Sequence, residues 1–143
     1  MPSRREFMKA ACGAGAATLC GGLSFTIIGC STVPTITPFQ EGNDLRFSEE
    51  AFADQTFVIV ETGFLKSPIA VHKDEDGSYT AVLLRCTHKA CRPQVFEYSL
   101  DCPCHGSQFD FDGTVLKGPA EVNLKSFPIT KVGEGNLVIS LEP

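Results

Sequence analysis

From residue 44 onward, the apolar residues lie in short runs separated by turn-forming residues, and the wider spacing typical of helices is scarce. Only residues 48–52 suggest a helical turn. An Asp-Gly pair at residues 112–113 is a strong hairpin signal. The predicted strands are residues 56–60, a hairpin over residues 69–84 with its turn at 74–77, a hairpin over residues 109–115, and a last hairpin over residues 127–141. This pattern predicts an all-β fold, an antiparallel sandwich or barrel.

The N-terminal residues follow a different pattern. Residues 3–9 read Ser-Arg-Arg-Glu-Phe-Met-Lys, and residues 10–29 are an uncharged run rich in Ala and Gly. Paired arginines before a mildly apolar run are typical of the twin-arginine export signal, an address that is not part of the fold. It predicts export to the periplasmic side of a bacterial membrane. Residues 31–43 contain two prolines and predict a flexible, extended tether. The expected divisions are residues 1–30 as signal or membrane anchor, 31–43 as tether and 44–143 as the domain.

The end of the leader leaves three outcomes open. Residues 27–31, Ile-Ile-Gly-Cys-Ser, resemble a lipoprotein cleavage box in which Cys30 becomes the lipidated N-terminus. Alternatively, residues 10–28 are retained as a membrane anchor, although their many Ala and Gly residues make a weak span. In the third outcome, ordinary cleavage gives a soluble form. The first two outcomes hold the domain at a membrane.

Composition and charge limit the class of protein. The chain has 143 residues, enough for one domain beyond the leader. It carries 12 Lys and Arg against 17 Asp and Glu, a net charge of −5, which argues against nucleic acid as a partner. Seven cysteines in a chain of this length favour an exported protein.

The chemistry of the chain is concentrated in two short segments. Residues 86–91 read Cys-Thr-His-Lys-Ala-Cys, and residues 102–107 read Cys-Pro-Cys-His-Gly-Ser. Each follows a predicted strand or extended stretch, so we expect two loops at neighbouring hairpin tips that face each other around one cofactor. One thiolate and one imidazole from each loop make up the ligand set of a Rieske [2Fe–2S] centre. A structural zinc site is the alternative, but zinc sites more often group thiolates in one pair and imidazoles in the other.

Residues 44–143 resemble the Rieske iron–sulfur proteins, specifically the disulfide-containing type of quinol-oxidising complexes, and are similar to the small stand-alone Rieske lipoproteins of bacteria. The resemblance rests on the two loops and on residues 117–120, Lys-Gly-Pro-Ala, which resemble the proline-containing third loop of that family. It implies one [2Fe–2S] cluster per domain and a disulfide between Cys91 and Cys104. The implied ligands are Cys86 and Cys102 on the inner iron and His88 and His105 on the outer iron.

The resemblance also assigns roles around the cluster. Gly106 permits close approach of the backbone, Ser107 matches a serine that donates to a bridging sulfide, and Pro119 lies in the third loop. High-potential members carry a tyrosine donor where this chain has Phe109. The implied midpoint potential lies in the upper half of the Rieske range of about −150 to +300 mV, but below that of a member with both donors.

Two positions in the first loop depart from the family pattern. Members usually have leucine in place of Lys89 and glycine in place of Ala90. With Arg85 and Arg92, Lys89 predicts a basic rim on an otherwise acidic domain, which favours an acidic redox partner. It also weakens the expectation of direct contact with quinol.

The resemblance implies a one-electron carrier at the outer face of a membrane, in a respiratory-type chain. Its redox partners would be a cytochrome or another metalloprotein. The alternative is the iron–sulfur subunit of a larger oxidoreductase, of the quinol–cytochrome c reductase or arsenite oxidase type. The sequence offers no catalytic residue of its own: it shows no nucleotide motif and no nucleophile paired with a base.

Overall fold

The computed structural model describes residues 33–142. Within these residues, the regular structure consists of twelve short strands and one 3₁₀ helix, Glu49–Phe52. The segments on which the export and lipidation predictions rest, including Cys30, lie outside the described residues. The strands are β1 (Thr35–Ile36), β2 (Phe39–Glu41), β3 (Asp44–Ser48), β4 (Phe57–Val60), β5 (Ile69–Lys73), β6 (Tyr79–Leu83), β7 (Gln94–Val95), β8 (Leu100–Asp101), β9 (Gln108–Phe109), β10 (Val115–Lys117), β11 (Ile129–Val132) and β12 (Asn136–Ser140).

The strands form three four-stranded sheets, with the orders β1-β4-β5-β6, β11-β12-β3-β2 and β10-β9-β8-β7. Strand β1 pairs in parallel with β4, and the other strand pairs are antiparallel. The predicted all-β, mainly antiparallel fold is therefore confirmed. Across the described residues, no helix has both the length and the apolar character needed to cross a bilayer.

The sheet that contains β4 lies between the other two and is buried on both faces. Val58 and Val60 belong to a core shared with β3 and β12, whereas Phe57 and Ile59 belong to a second core shared with β8 and β9. Successive side chains of a strand point to opposite faces. A strand covered on both sides therefore needs apolar residues at every position, which explains the unbroken run in the sequence.

The predicted hairpins are present, with one difference at the metal motif. Strands β5 and β6, β9 and β10, and β11 and β12 pair as antiparallel neighbours. Residues 102–107 join the paired strands β8 and β9 and thus lie at a hairpin tip. Residues 86–91 instead connect β6 of one sheet to β7 of another, so the prediction of a hairpin tip is wrong for this loop.

The predicted tether is also partly incorrect. From residue 33, the described part of residues 31–43 contains β1, which pairs with β4, and β2, which pairs with β3. The N–H of Ile59 donates to the carbonyl of Pro34 at 2.8 Å, and the N–H of Glu61 donates to that of Ile36 at 2.9 Å. Proline lacks only its N–H, so it can still accept hydrogen bonds at a sheet edge.

Glu49, the first residue of the 3₁₀ helix, holds together several strands through its carboxylate. It accepts hydrogen bonds from Lys73 at 3.1 Å and from the Tyr79 hydroxyl, and it pairs with Lys131. These three donors, Lys131 foremost, lower the pKa of Glu49 to about 2. Burial and the nearby carboxylate raise the pKa of Tyr79 to about 12.

A depressed carboxyl pKa predicts a pH-dependent contribution to stability. The contribution of Glu49 is fully present above its ordinary pKa of 4.5 and is lost as the pH falls through about 2. We expect Glu49→Gln to lower the melting temperature at neutral pH. The difference in melting temperature from wild type should shrink as the pH falls from 4.5 to about 2. Thermal unfolding at a series of pH values measures this. Glu134→Gln, at an exposed turn, is the control, and an equal loss in both variants would contradict the prediction.

Candidate metal centre

The first loop, residues 86–91, is closed by two backbone hydrogen bonds. The N–H of Cys86 donates to the carbonyl of Cys91 at 2.8 Å, and the N–H of Ala90 donates to the carbonyl of Cys86 at 2.8 Å. The loop therefore turns the chain sharply and presents His88 and Lys89 at its tip. Cys86 is only 3% exposed because it follows directly on the central sheet and packs in the second core.

The second loop, residues 102–107, repeats this pattern. The N–H of Cys102 donates to the carbonyl of Ser107 at 2.8 Å, and the N–H of Gly106 donates to that of Cys102 at 3.0 Å. Ala90 in the first loop and Gly106 in the second occupy matching positions, and both have positive φ angles, 58° and 77°. The glycine that the family usually carries at position 90 would adopt this positive φ angle without steric cost.

This match predicts that Ala90→Gly stabilises the protein. The left-handed conformation costs an L-residue roughly 1–2 kcal/mol, and glycine avoids that cost while losing about 0.5–1 kcal/mol of chain entropy. We expect a gain of roughly 0.5–1 kcal/mol in the free energy of unfolding, measured by urea denaturation. The matched variant Gly106→Ala should lose stability. A loss in Ala90→Gly would contradict the prediction.

A disulfide connects the two loops. Cys91 and Cys104, the pair to which the resemblance assigns a bridge, have an S–S distance of 2.07 Å and a Cα–Cα distance of 6.5 Å. The Sγ atom of Cys102 lies within 4.8 Å of both sulfurs of this bridge. The bridge thus ties the two loops together beside the free thiols.

The two remaining cysteines of the motif bring their thiols into contact in the protein interior. Cys102 is 2% exposed, and burial together with the neighbouring Cys86 raises the pKa of its thiol. Burial also opposes ionisation of Cys86, but the backbone N–H groups of His88 and Lys89, the Cys102 thiol and the Ser107 hydroxyl outweigh it and lower the pKa of that thiol. Donors directed at a thiolate also favour its role as a metal ligand.

The two histidines of the motif lie next to each other. The ring centroids of His88 and His105 are 4.8 Å apart, with the ring planes at 90°. His105 is exposed and His88 is half-buried. The Nδ1 atom of His88 is buried and, among the described residues, has no hydrogen-bond partner. Buried polar atoms without a partner are rare and costly, so this nitrogen is free to act as a ligand.

Three residues to which the resemblance assigns roles lie in or beside the two loops. Ser107 is fully buried, and its hydroxyl accepts a hydrogen bond from the N–H of Ala120 at 3.0 Å. Pro119, which follows Gly118 through a cis peptide bond, lines a groove with His88. Phe109 is fully buried in the core that contains both thiols. Ser107 and Phe109 are therefore placed where they can influence a bound cofactor.

Two features of the site were not predicted from the sequence. The Thr87 hydroxyl donates to the carbonyl of Val122 and so ties the first loop to the segment after the third loop. The only signal for Thr87 was its place between a cysteine and a histidine. The expected basic rim also differs, because Arg92 pairs with Glu61 at 3.3 Å and lines a separate groove. Lys125, distant from both loops in sequence, lines the same groove as Arg85 and Lys89.

The residues present fit a Rieske cluster. The two loops supply two buried thiols and two adjacent imidazoles, the donor set required when two His replace two Cys on one iron. The buried Nδ1 of His88, without a hydrogen-bond partner among residues 33–142, is a polar atom that such a ligand role would satisfy.

Comparisons with known proteins agree with this geometry. The Rieske [2Fe-2S] domain family matches residues 47–128, more than half of the chain. The cytochrome b6-f complex iron-sulfur subunit of Chlorobaculum tepidum is 37% identical over 67 residues, covering 46% of this chain and 36% of the relative. The ubiquinol-cytochrome c reductase iron-sulfur subunit of Bradyrhizobium diazoefficiens is 28% identical over 166 residues, covering 96% of this chain and 94% of the relative.

Solved structures show the same fold. The plasma membrane Rieske protein PetC3 from Synechocystis PCC 6803 superimposes with a TM-score of 0.56 at 28% identity, over 65% of this chain and 94% of that one. A chain of the complex of reduced oxygenase and oxidized ferredoxin in carbazole 1,9a-dioxygenase matches with a TM-score of 0.56 at 24% identity, over 71% of this chain and 96% of that one, a likeness of fold. With its two facing loops and this family match, the chain belongs to the Rieske [2Fe-2S] family and carries a cluster of that type.

Proposed function

We propose that this chain transfers single electrons through a Rieske cluster held by Cys86, Cys102, His88 and His105. The observation that carries the proposal is the combination of two contacting, buried thiols with two adjacent imidazoles, all supplied by two loops that a disulfide joins. When bound, the cluster supplies one-electron chemistry at a potential raised by histidine ligation.

The protein residues give the cluster one open side. The thiols lie in an apolar core, whereas His105 is exposed, so a partner can approach the imidazole edge but not the sulfur edge. The disulfide and the backbone bonds within each loop hold these groups before any partner binds. A rigid ligand set reduces the rearrangement that accompanies each electron transfer.

The first test is spectroscopic. Purified full-length protein should contain about two irons per chain and, after reduction, give a mixed-valence EPR signal with low average g. Protein-film voltammetry should then show a reversible one-electron couple. A colourless protein, zinc in place of iron, or coordination by four sulfurs would contradict the proposal.

Phe109 provides a prediction about the potential. Phe109→Tyr introduces a hydroxyl in the core that holds both ligand thiols, and a hydrogen bond to a ligand sulfur stabilises the reduced state. One such bond, worth about 1 kcal/mol, corresponds to a rise of roughly 40 mV for a one-electron couple. Phe111→Tyr, on a ring that packs against Phe57 and His72, is the control. An unchanged midpoint potential in the Phe109 variant would contradict the prediction that a hydroxyl at this position raises it.

We further propose that the domain works at the outer face of a bacterial membrane, held there by lipid on Cys30 or by the leader. The support is the paired arginines and the Ile-Gly-Cys-Ser sequence ahead of the domain. Protease added to spheroplasts should digest the domain, and mass spectrometry of the mature N-terminus should identify the anchor. Protection of the domain from external protease would contradict this location.

The alternative is a subunit of a larger oxidoreductase. It is favoured by the match to the Bradyrhizobium ubiquinol-cytochrome c reductase subunit, which extends over nearly the whole of both chains. Lys89, in place of the usual leucine at the loop tip, favours the independent carrier. Purification from solubilised membranes distinguishes them, because a complex subunit should co-purify with a cytochrome b or, for an arsenite oxidase type, a molybdenum subunit.

A further inference from the structure

An open groove of about 360 Å³ lies beside the first loop, and the charged side chains that line it are basic. Arg85, Lys89 and Lys125 line it, all three exposed, and no acidic residue within residues 33–142 lines it. We call these three side chains and the space between them the basic groove. Lys125 belongs to the segment that runs alongside β6, where the N–H of Leu83 donates to the carbonyl of Lys125 at 2.8 Å.

The basic groove contains most of the basic side chains that make no ion pair within residues 33–142. Arg46, Lys73, Arg92 and Lys131 pair with carboxylates. Within residues 33–142, five basic side chains make no ion pair: Lys66, Arg85, Lys89, Lys117 and Lys125. Three of the five therefore lie in one groove, on a domain in which acidic residues outnumber basic ones.

The basic groove also borders the redox site. Cys86, Thr87 and His88 line it together with the cations, and His88 also lines the neighbouring groove with Pro119. A molecule bound in the basic groove would therefore sit directly beside an iron-ligating loop. The Nζ atom of Lys125 lies 5.0 Å from the Phe127 ring centroid, which holds this charge at the groove wall.

We propose that the basic groove docks a carboxylate-rich surface of the redox protein that exchanges electrons with this chain. The proposal rests on the proposed function and names the chemistry of its partner. Opposite charges across an interface accelerate encounter and set the orientation of docking. Docking in this groove would hold the acidic partner beside His88, on the open side of the cluster.

The test measures oxidation of the reduced, cluster-loaded full-length protein in a stopped-flow instrument. The oxidants are an acidic c-type cytochrome and a basic c-type cytochrome, at low ionic strength. Lys89→Gln with Lys125→Gln should slow the reaction with the acidic cytochrome by roughly 3- to 30-fold, as expected for the loss of two exposed charge pairs. The reaction with the basic cytochrome should not slow, and added salt should reduce the difference between variant and wild type.

The matched control is Lys66→Gln with Lys131→Gln. It removes the same net charge through the same substitution, at two lysines that lie outside the basic groove and outside the three loops of the site. We expect it to slow the reaction with the acidic cytochrome less than about twofold, because screened charges act mainly nearby. Equal slowing by both double variants, or no slowing by the groove variant, would overturn the proposal. The midpoint of each variant is measured so that rates are compared at equal driving force.

Two other results have separate meanings. If the groove variant keeps its rate with the acidic cytochrome but loses binding to phosphatidylglycerol vesicles, the groove contacts lipid and the docking proposal is wrong. If wild-type protein lacks the Rieske EPR signal, the proposed function fails, and the docking proposal fails with it.

Discussion

Replacing His88 with glutamine is expected to abolish the Rieske EPR signal and to lower iron retention by more than about tenfold, since even changes outside the ligands weaken metal sites by 10- to 100-fold. Glutamine keeps the polarity and much of the size of histidine but has no ring nitrogen. The buried His88 Nδ1, without a partner among residues 33–142, is the atom that the variant removes. Iron analysis and EPR of the purified variant measure the effect.

His72→Gln is the matched control for this experiment. His72 lies on β5, and its ring stacks on that of Phe57 with centroids 4.4 Å apart. Its ring centroid also lies 4.6 Å from that of Phe111. Its side chain is largely buried, and burial lowers its pKa. We expect this variant to lose some stability but to keep its iron and its signal. A full Rieske signal in the His88 variant would contradict the ligand assignment.

Removal of the disulfide is expected to have the largest effect on stability. The bridge links residues 13 positions apart, and on chain-entropy grounds a loop of this length contributes about 3 kcal/mol. Cys91→Ser with Cys104→Ser should therefore lower the free energy of unfolding by about that amount. It should also speed bleaching of the visible absorbance, because the two ligand loops are no longer tied. Urea denaturation and absorbance decay measure the two effects.

Reductant supplies the control for the disulfide variant. A thiol reductant should shift the urea midpoint of the wild-type protein toward that of the variant, and it should leave the variant unchanged. If variant and wild type unfold at the same urea concentration, the bridge does not stabilise the fold and our interpretation of it is wrong.

Some of the fold could be predicted because the relevant signals are local. The β4 run is apolar at every position since both of its faces are buried, and that pattern stands in the sequence itself. The turn between β5 and β6 is marked by Asp-Gly residues at positions 76–77. By contrast, β1 has two residues and β2 is exposed along its length, so neither has a hydrophobic pattern to detect. Strand β1 exists because the distant strand β4 offers it hydrogen-bond partners, whereas β2 pairs with its neighbour β3 across a two-residue turn.

Among the surface charges, too, some positions could be predicted from the sequence and others could not. Arg85 and Lys89 could be placed near the cluster because they flank Cys86 and His88 in the sequence. Arg92 lies equally near in sequence, but pairing with Glu61 removes it from the groove. Lys125 carries no local signal, and it reaches the groove only because its segment pairs with β6.

The chemistry of this protein could be predicted from local sequence, since all four expected ligands and both bridging cysteines come from two segments of six residues each. Short segments hold such information because neighbouring residues stay close in any fold. The tertiary structure decided the rest: that the first loop joins two sheets, that Ser107 bonds to Ala120, and which cations share a groove. Those relations depend on strand pairing between segments far apart in the chain, which no local pattern encodes.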